Sequence, residues 1–295
     1  MKPLFMWAGG KTRMLKKYAP HLPNSVTHYV EPFLGGGAMF KWAYEKNPNG
    51  DFVLNDANEP IMAIYGAIKN DVKQFRRRLD VISKAYLKIP IENRAARKKF
   101  YYEVRAEHAS DIFREKWTAT EEAATLYFLM KTGFNGIWQI NKNTNGRFGT
   151  PAGLLNHTTK VYDKENITEW HKALQRCKLL SVDFKDTLCE VRDGSYVFLD
   201  PPYRGSFTQY GVKFDDERQK EVVQYLKDAS LIGAHVLMSG RDMEDGFFEE
   251  QCGNNDIVYF DVKYTAGRRK KDKKGNYSAK KAREILMIGK CYLPW

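Results

Sequence analysis

Apolar and polar positions come in short blocks along the first eighty residues, and the period of the blocks changes as they go. His28-Tyr29-Val30-Glu31-Pro32-Phe33 is a compact, mostly apolar run that ends in Leu34-Gly35-Gly36-Gly37. It predicts a buried strand followed by a tight turn. Ala38, Phe40, Trp42, Ala43 and Tyr44 then recur at helical spacing between Gly37 and Glu45. Asp51-Phe52-Val53-Leu54-Asn55-Asp56 predicts a second strand, closed by polar residues. From Asn58 to about Ser83 the spacing predicts a helix, with Ile61, Ile64, Tyr65 and Ile68 on one face. Strand, turn, helix, strand, helix is the opening of a parallel α/β sheet.

Residues from about 70 to 165 have a different character. Helical patterns recur around Phe100–His108 and Glu121–Lys131. A polar stretch rich in glycine and asparagine follows, from Gly133 to Pro151. Turn residues flank Ile137-Trp138-Gln139-Ile140, which predicts a hairpin or an extended loop. This region reads as an insert or small subdomain. The α/β pattern then resumes, with candidate strands at Leu179–Phe184, Tyr196–Leu199, His235–Ser239, Ile257–Tyr264 and Ile285–Tyr292. Val222, Val223 and Leu226 mark an amphipathic helix over Glu217–Ala229. The expected division is therefore a main domain of residues 1–68 and 166–295, interrupted by a mainly helical insert of residues 69–165.

Composition narrows the class. The chain has 295 residues, 43% of them apolar and 28% charged, enough to bury a substantial core. No apolar run is long enough to span a bilayer, and the N-terminus lacks a signal-peptide core. Cys177, Cys189, Cys252 and Cys291 form no C-x-x-C pair and sit beside no histidine at ligand spacing, so reduced thiols in a cytoplasmic protein without metal are expected. The net charge is +12. From Arg268 to Arg283 nine basic residues stand against one acid, so this run alone carries +8. Such an excess suits a polyanion, most simply nucleic acid. A solvated loop without a defined role is the competing reading of the run, which is taken as a basic loop over residues 266–283.

Three constellations carry chemistry. The glycine turn after the first strand lets a ligand approach the backbone, although it fits neither G-x-G-x-x-G nor a P-loop, and a purely structural turn is an open alternative. Asp56 ends the second strand, where an acid can accept hydrogen bonds from ribose hydroxyls; it could equally cap the helix that follows. Asp200-Pro201-Pro202-Tyr203 directly follows the apolar strand Tyr196-Val197-Phe198-Leu199. Two prolines cannot extend a ladder, so the strand must stop there and hold Asp200 at the carboxyl edge of the sheet. A carboxylate and a proline-fixed carbonyl can accept both protons of an exocyclic amine, and a Tyr ring can stack on the base that carries it. The plain alternative is a turn with a packed Tyr.

With these strings in hand, the chain resembles the Dam-type (D12 class, alpha group) S-adenosylmethionine-dependent DNA adenine-N6 methyltransferases over nearly its whole length. Trp7-Ala8-Gly9-Gly10-Lys11 looks like that family's N-terminal cofactor motif, Glu31–Gly37 its glycine loop and Leu54–Asn58 its ribose-binding strand end. Phe134-Asn135-Gly136 and Gly146–Pro151 look like its target-recognition hairpin. Ser181–Phe184 resembles the segment beside the cofactor adenine, Asp200–Tyr203 the catalytic motif, and Lys281–Leu286 the closing strand. The resemblance implies a Rossmann-like class I methyltransferase sheet with helices on both faces and a smaller target-recognition insert. It implies catalysis by Asp200, Pro201 and Tyr203 on an adenine flipped out of double-stranded DNA, without a metal. Cofactor contacts then fall to Trp7, Lys11, Pro32, Phe33, Gly35, Gly37, Asp56, Asp183, Phe184 and Asp200. DNA contacts fall to Phe134, Asn135, Gln139, Asn141, Arg147 and the cations Arg268, Arg269, Lys270, Lys271, Lys273 and Lys274, with Phe134 or Asn135 filling the space the base leaves. Taken singly, Trp7 and Phe33 also read as core residues and Lys11 as a solvated lysine at a helix start.

The departures concern specificity. Members that read GATC carry a basic residue directly before the Trp of the N-terminal motif and an arginine after F-N-G; here Met6 and Gln139 stand in those places. Arginine is the usual bidentate reader of guanine, whereas glutamine suits adenine. Recognition that is relaxed, or set to a short site other than GATC, is expected. A binding module without catalysis and a cytosine-N4 methyltransferase are the alternative functions.

Overall fold

The computed structural model describes residues 1–7, 9–205, 214–252, 257–264 and 280–289. Numbered in chain order, the strands are β1 (His28–Glu31), β2 (Asp51–Asn55), β3 (Ile140–Asn141), β4 (Arg147–Phe148), β5 (Cys177–Leu180), β6 (Tyr196–Leu199), β7 (His235–Asp242), β8 (Ile257–Tyr264) and β9 (Lys280–Gly289). The helices are α1 (Leu15–Tyr18), α2 (Ala38–Lys46), α3 (Glu59–Asn70), α4 (Val72–Leu87), α5 (Arg94–Ala109), α6 (Asp111–Arg114), α7 (Ala119–Thr132), α8 (Lys164–Leu174), α9 (Asp216–Leu231) and α10 (Phe247–Cys252).

Seven strands form one sheet in the order β5-β2-β1-β6-β7-β9-β8. Only β9 runs against its neighbours. Strand order reverses between β1 and β6, and this switch point opens a crevice at the carboxyl ends of the strands. The apolar strand sequences follow from burial on both faces. Tyr29, Phe52, Leu54, Tyr196, Phe198, Leu237 and Leu286 enter one core, with α2, α3, α7 and α8. Their alternating neighbours Val30, Val53, Val197, Leu199, Val236, Met238, Ile285 and Met287 enter a second core, under α9.

The stretch from α4 to β4 shares the first of these cores. Helix α7 is its axis, buried from Ala123 to Met130 and opened by a capping box between Thr118 and Glu121. Tyr127 donates from it to the carbonyl of Leu4 at 3.0 Å.

Three predicted elements differ. The strand expected to start at Ile285 is β9, which starts at Lys280. The helix expected from Asn58 to Ser83 is two helices, α3 and α4, because Asp71 leaves helical geometry and accepts the Gln74 N–H as an N-cap. The strand expected at Leu179–Phe184 is Cys177–Leu180, after which Asp183 caps a 3-10 helix over Phe184–Glu190. The basic run enters β9, where Arg283 faces Asp261 and Asp242. Arg268, Arg269, Lys270, Lys271, Lys273 and Lys274 lie outside the described residues.

Candidate active site

Strand β6 stops at Leu199, and Asp200 stands at the sheet edge between two donors. Ser239 Oγ, from the neighbouring β7, donates to Asp200 Oδ1 at 2.7 Å. Lys11 Nζ reaches Oδ1 at 2.6 Å and Oδ2 at 2.7 Å. Lys11 is not the solvated lysine that its position also allowed: it is 3% exposed, with its remaining proton directed to the Gly9 carbonyl at 2.7 Å. Burial works to lower its pKa, but Asp200, Tyr18 and Glu284 outweigh this and hold the ammonium above its ordinary value. The same ammonium lies over the Tyr203 ring, 4.8 Å from the centroid. Tyr203 donates its hydroxyl to Glu284 Oε2 of β9 at 3.3 Å. Gln219 of α9 donates to the Pro202 carbonyl at 2.6 Å. No described residue donates to the Pro201 carbonyl. Arg204 braces the turn from behind, paired with Asp216 at 2.8 Å and Asp245 at 2.9 Å and stacked on Phe247.

The glycine turn lies on the other side of the switch point. Gly35 and Gly37 adopt φ of +48° and +70°, in the left-handed region. Aromatic packing accounts for their lack of a side chain: a Cβ on Gly35 would meet Trp7 Nε1 at 2.6 Å, and one on Gly37 would meet Trp170 at 2.5 Å. Asp56 Oδ2 accepts the Gly35 N–H and Oδ1 the Asn58 N–H, both at 2.9 Å. It is not the helix cap; Asn58 fills that role for α3. Burial raises the Asp56 pKa against the pull of those two N–H groups. Asn55 donates to the carbonyls of Pro32 and Val182, which ties the ends of β1, β2 and β5 together. Beside them Phe33, Phe184 and Phe214 form an aromatic corner with centroids 5.2–6.4 Å apart. Arg218 lies over Phe184 and pairs with Asp183. Burial works to raise the Asp183 pKa, but the Lys185 N–H and Arg218 outweigh it and hold the carboxyl low.

The Phe134–Pro151 segment meets the candidate site through the N-terminal stretch of chain. Phe134, Asn135, Gly136 and Ile137 form a tight turn, closed by the Ile137 N–H to the Phe134 carbonyl, with φ of +52° and +63° at Asn135 and Gly136. Positive φ at both central residues is the geometry that Asn-Gly favours. A Cβ on Gly136 would meet the Met6 carbonyl at 2.6 Å, so the turn is seated directly on Met6. Met6, Phe134 and Ile137 are exposed there. Gln139 is half-buried, and its carbonyl accepts the Gly149 N–H. Asn141 caps the turn between β3 and β4. Arg147 is engaged within the protein, bonded to the Ala109 carbonyl and to Asp111.

Ser239, Phe214 and Arg218 enter this neighbourhood without having been singled out from sequence, and Glu31 and Glu284 stood there only as members of the glycine-loop and closing-strand strings, without a role of their own. For Ser239 and Glu284 the available signal was a polar residue inside an otherwise apolar strand, which β-strand burial makes unusual. Among the described residues no group of three or more His, Cys, Asp or Glu could hold a metal ion, and no helix is long and apolar enough to cross a membrane.

The sheet order, with the family match that follows, defines a Rossmann-like methyltransferase. The family described as D12 class N6 adenine-specific DNA methyltransferase matches residues 7–265. The chain is 30% identical to the type II methyltransferase M.MjaIII of Methanocaldococcus jannaschii, over 98% of this chain and 99% of that protein. It is 31% identical to the type II methyltransferase M.CviBI of Paramecium bursaria Chlorella virus NC1A, over 85% of this chain and 89% of the relative. It is 26% identical to the DNA adenine methylase of Escherichia coli K12, over 80% and 79% respectively. The chain belongs to the D12 class of N6 adenine-specific DNA methyltransferases. Its reaction is methylation of adenine in DNA.

Proposed function

We propose that the methyl group comes from S-adenosylmethionine and that Asp200, Pro201 and Tyr203 receive an adenine turned out of double-stranded DNA. The residues at the switch point fit this donor. Asp56 offers a carboxylate at the end of β2, where ribose hydroxyls would be accepted. Phe33, Phe184 and Phe214 give a purine a surface to stack on, with Asp183 beside them. Arg218 Nε, buried and without a hydrogen-bond partner among the described residues, is a donor for a purine nitrogen. When bound, S-adenosylmethionine supplies a methyl group already made electrophilic by its sulfonium.

The chain's own work is on the nitrogen. The N6 lone pair of adenine is delocalised into the ring, so the amine is a poor nucleophile. Hydrogen bonds from its two protons to Asp200 and to the Pro201 carbonyl favour a tetrahedral nitrogen and localise that pair. Lys11 stays charged against Asp200 and holds its carboxylate at the sheet edge, facing the place the amine would take. Turning the base out costs a few kcal/mol. Stacking on Tyr203 offsets about 1–3 kcal/mol of that. The exposed Phe134–Ile137 turn, seated on Met6, supplies apolar surface for the vacated place.

The observation that carries the reading is the pair of acceptors at one sheet edge: an Asp200 carboxylate held in place, and a Pro201 carbonyl without a donor among the described residues. Its test is transfer of labelled methyl from S-adenosylmethionine to DNA, with modified bases mapped one by one. The expected product is N6-methyladenine, and Asp200→Ala should lower the rate by at least roughly 100-fold while DNA binding persists. Retained turnover in Asp200→Ala, or N4-methylcytosine as product, overturns the reading. Met6 and Gln139 lack the guanine-reading charge, so the mapped sites should extend beyond GATC or lie elsewhere. Modification confined to GATC would sink that part.

A further inference from the structure

We infer that Ser239 and Glu284, two buried polar side chains on β7 and β9, are positioning residues for methyl transfer: Ser239 fixes the tilt of the Asp200 carboxylate, and Glu284 fixes the plane of the Tyr203 ring. The inference rests on the reading of Asp200 and Tyr203 as the groups that meet the base.

Ser239 is fully buried, and its hydroxyl has one proton to give. Two acceptors are within reach, Asp200 Oδ1 at 2.7 Å and the Leu199 carbonyl at 3.4 Å. The shorter contact, to a charged oxygen, wins. A carboxylate has about four lone-pair sites. Ser239 and Lys11 occupy both sites on Oδ1, and Lys11 occupies one on Oδ2. One site is left among the described residues, on Oδ2, and that is where an amine proton must go. Lys11 alone does not settle this. An ammonium that bridges both oxygens lets the carboxylate rock about the line joining them to Nζ. A hydroxyl on one oxygen stops the rocking, and it comes from the strand hydrogen-bonded to β6, so the sheet itself sets the angle.

Glu284 acts on the second group in the same way. It sits on β9 opposite Arg241 of β7, almost fully buried, and accepts the Tyr203 hydroxyl. The ring is thus held at its tip by Glu284 and on one face by the Lys11 ammonium. A ring that stacks on an extruded base needs its plane fixed before the base arrives, because ordering it afterwards would cost rotamer entropy. Rigid strands hold such supporting groups better than loops do.

The test compares Ser239→Ala, Tyr203→Phe, Glu284→Ala, Glu284→Gln and the Tyr203→Phe/Glu284→Ala double variant by steady-state methylation, with thermal melting to verify folding. Ser239→Ala should lower kcat roughly 10- to 100-fold, with KM for DNA and for S-adenosylmethionine within about twofold of the parent. Unchanged kcat overturns the role of Ser239. Glu284→Gln, which keeps an acceptor oxygen, should retain most of the activity that Glu284→Ala loses. The double variant should be no slower than the slower of its two single variants, since both break the same hydrogen bond. Additive losses, or no rescue by Gln, overturn the role of Glu284. If Glu284→Ala does not fold, Tyr203→Phe decides: a rate equal to the parent's overturns that role too. Retained transfer in Asp200→Ala would instead sink the reading of the site, so the two failures are distinct.

Discussion

Glu31 stands at the end of β1, 2% exposed, in a place where an acid is costly. It accepts the Tyr29 hydroxyl at 2.8 Å and the N–H of Phe40 in the first turn of α2. Gly37, the N-cap residue of α2, has no side chain to offer, so Glu31 supplies from β1 the acceptor that the helix start needs. Burial pushes its pKa well above the carboxylate range, and nearby Asp200 pushes the same way, against the two hydrogen bonds. Above about pH 4.3, where the unfolded chain releases this proton, the folded chain still holds it. Stability from this group therefore falls as pH rises out of the ordinary carboxyl range. Glu31→Gln keeps an oxygen for Tyr29 and cannot ionise. It should melt above the parent at about pH 8, and the gap should close as the pH approaches about 4. Thermal melts across that range decide it; a gap that does not change with pH would mean that the charge on Glu31 is not what costs stability.

Helices α3 and α4 mark how far an element can be read from its pattern. Phe75, Leu79 and Ile82 continue the spacing of Ile61, Ile64 and Ile68, so the apolar face runs on across Asp71 while the backbone does not. The break belongs to one capping side chain. Asp71→Ala should cost about 1 kcal/mol in denaturant unfolding and leave methylation intact below the melting range, because the bond it removes, to the Gln74 N–H, lies in a cap far in sequence from the Asp200–Tyr203 turn. No loss of stability would mean that packing on α7 holds the break by itself. The strands were more legible. β6 ends where two prolines forbid a ladder, and β8 matches its apolar run end to end. The candidate site was legible in position where its residues are adjacent in sequence, as in Asp200–Tyr203, or stand at the end of a strand, as Asp56 does. Ser239 and Glu284 are single polar residues in apolar strands, and only strand order brings them to Asp200 and Tyr203. At Gly35 and Gly37 the close approach of Trp7 and Trp170, distant in sequence, is a further reason for glycine that the local pattern did not show.

Across the whole molecule the question is which cations remain to meet phosphates. Those around the site are committed: Lys11 to Asp200, Arg147 to Asp111, Arg204 to Asp216 and Asp245, and Arg218 to Asp183. Such pairs contribute little net field. The run Arg268–Lys274 is different in composition, six cations with one acid among them in a chain of net +12. Phosphate contacts hold a protein on DNA without reading sequence, and each contact releases counterions. Replacing Arg268, Arg269, Lys270, Lys271, Lys273 and Lys274 by alanine should therefore weaken binding to every DNA about equally. The slope of log affinity against log salt should become shallower, by up to about 0.9 for each phosphate no longer neutralised. The pattern of methylated adenines should stay the same if, as proposed, base edges are met by the Phe134–Ile137 turn and its neighbours rather than by this run. Binding isotherms at several salt concentrations, with adenine mapping on the same variant, separate the two contributions. An unchanged slope would put this charge off the DNA, and a shifted set of methylated sites would make the run a reader of sequence rather than of phosphate.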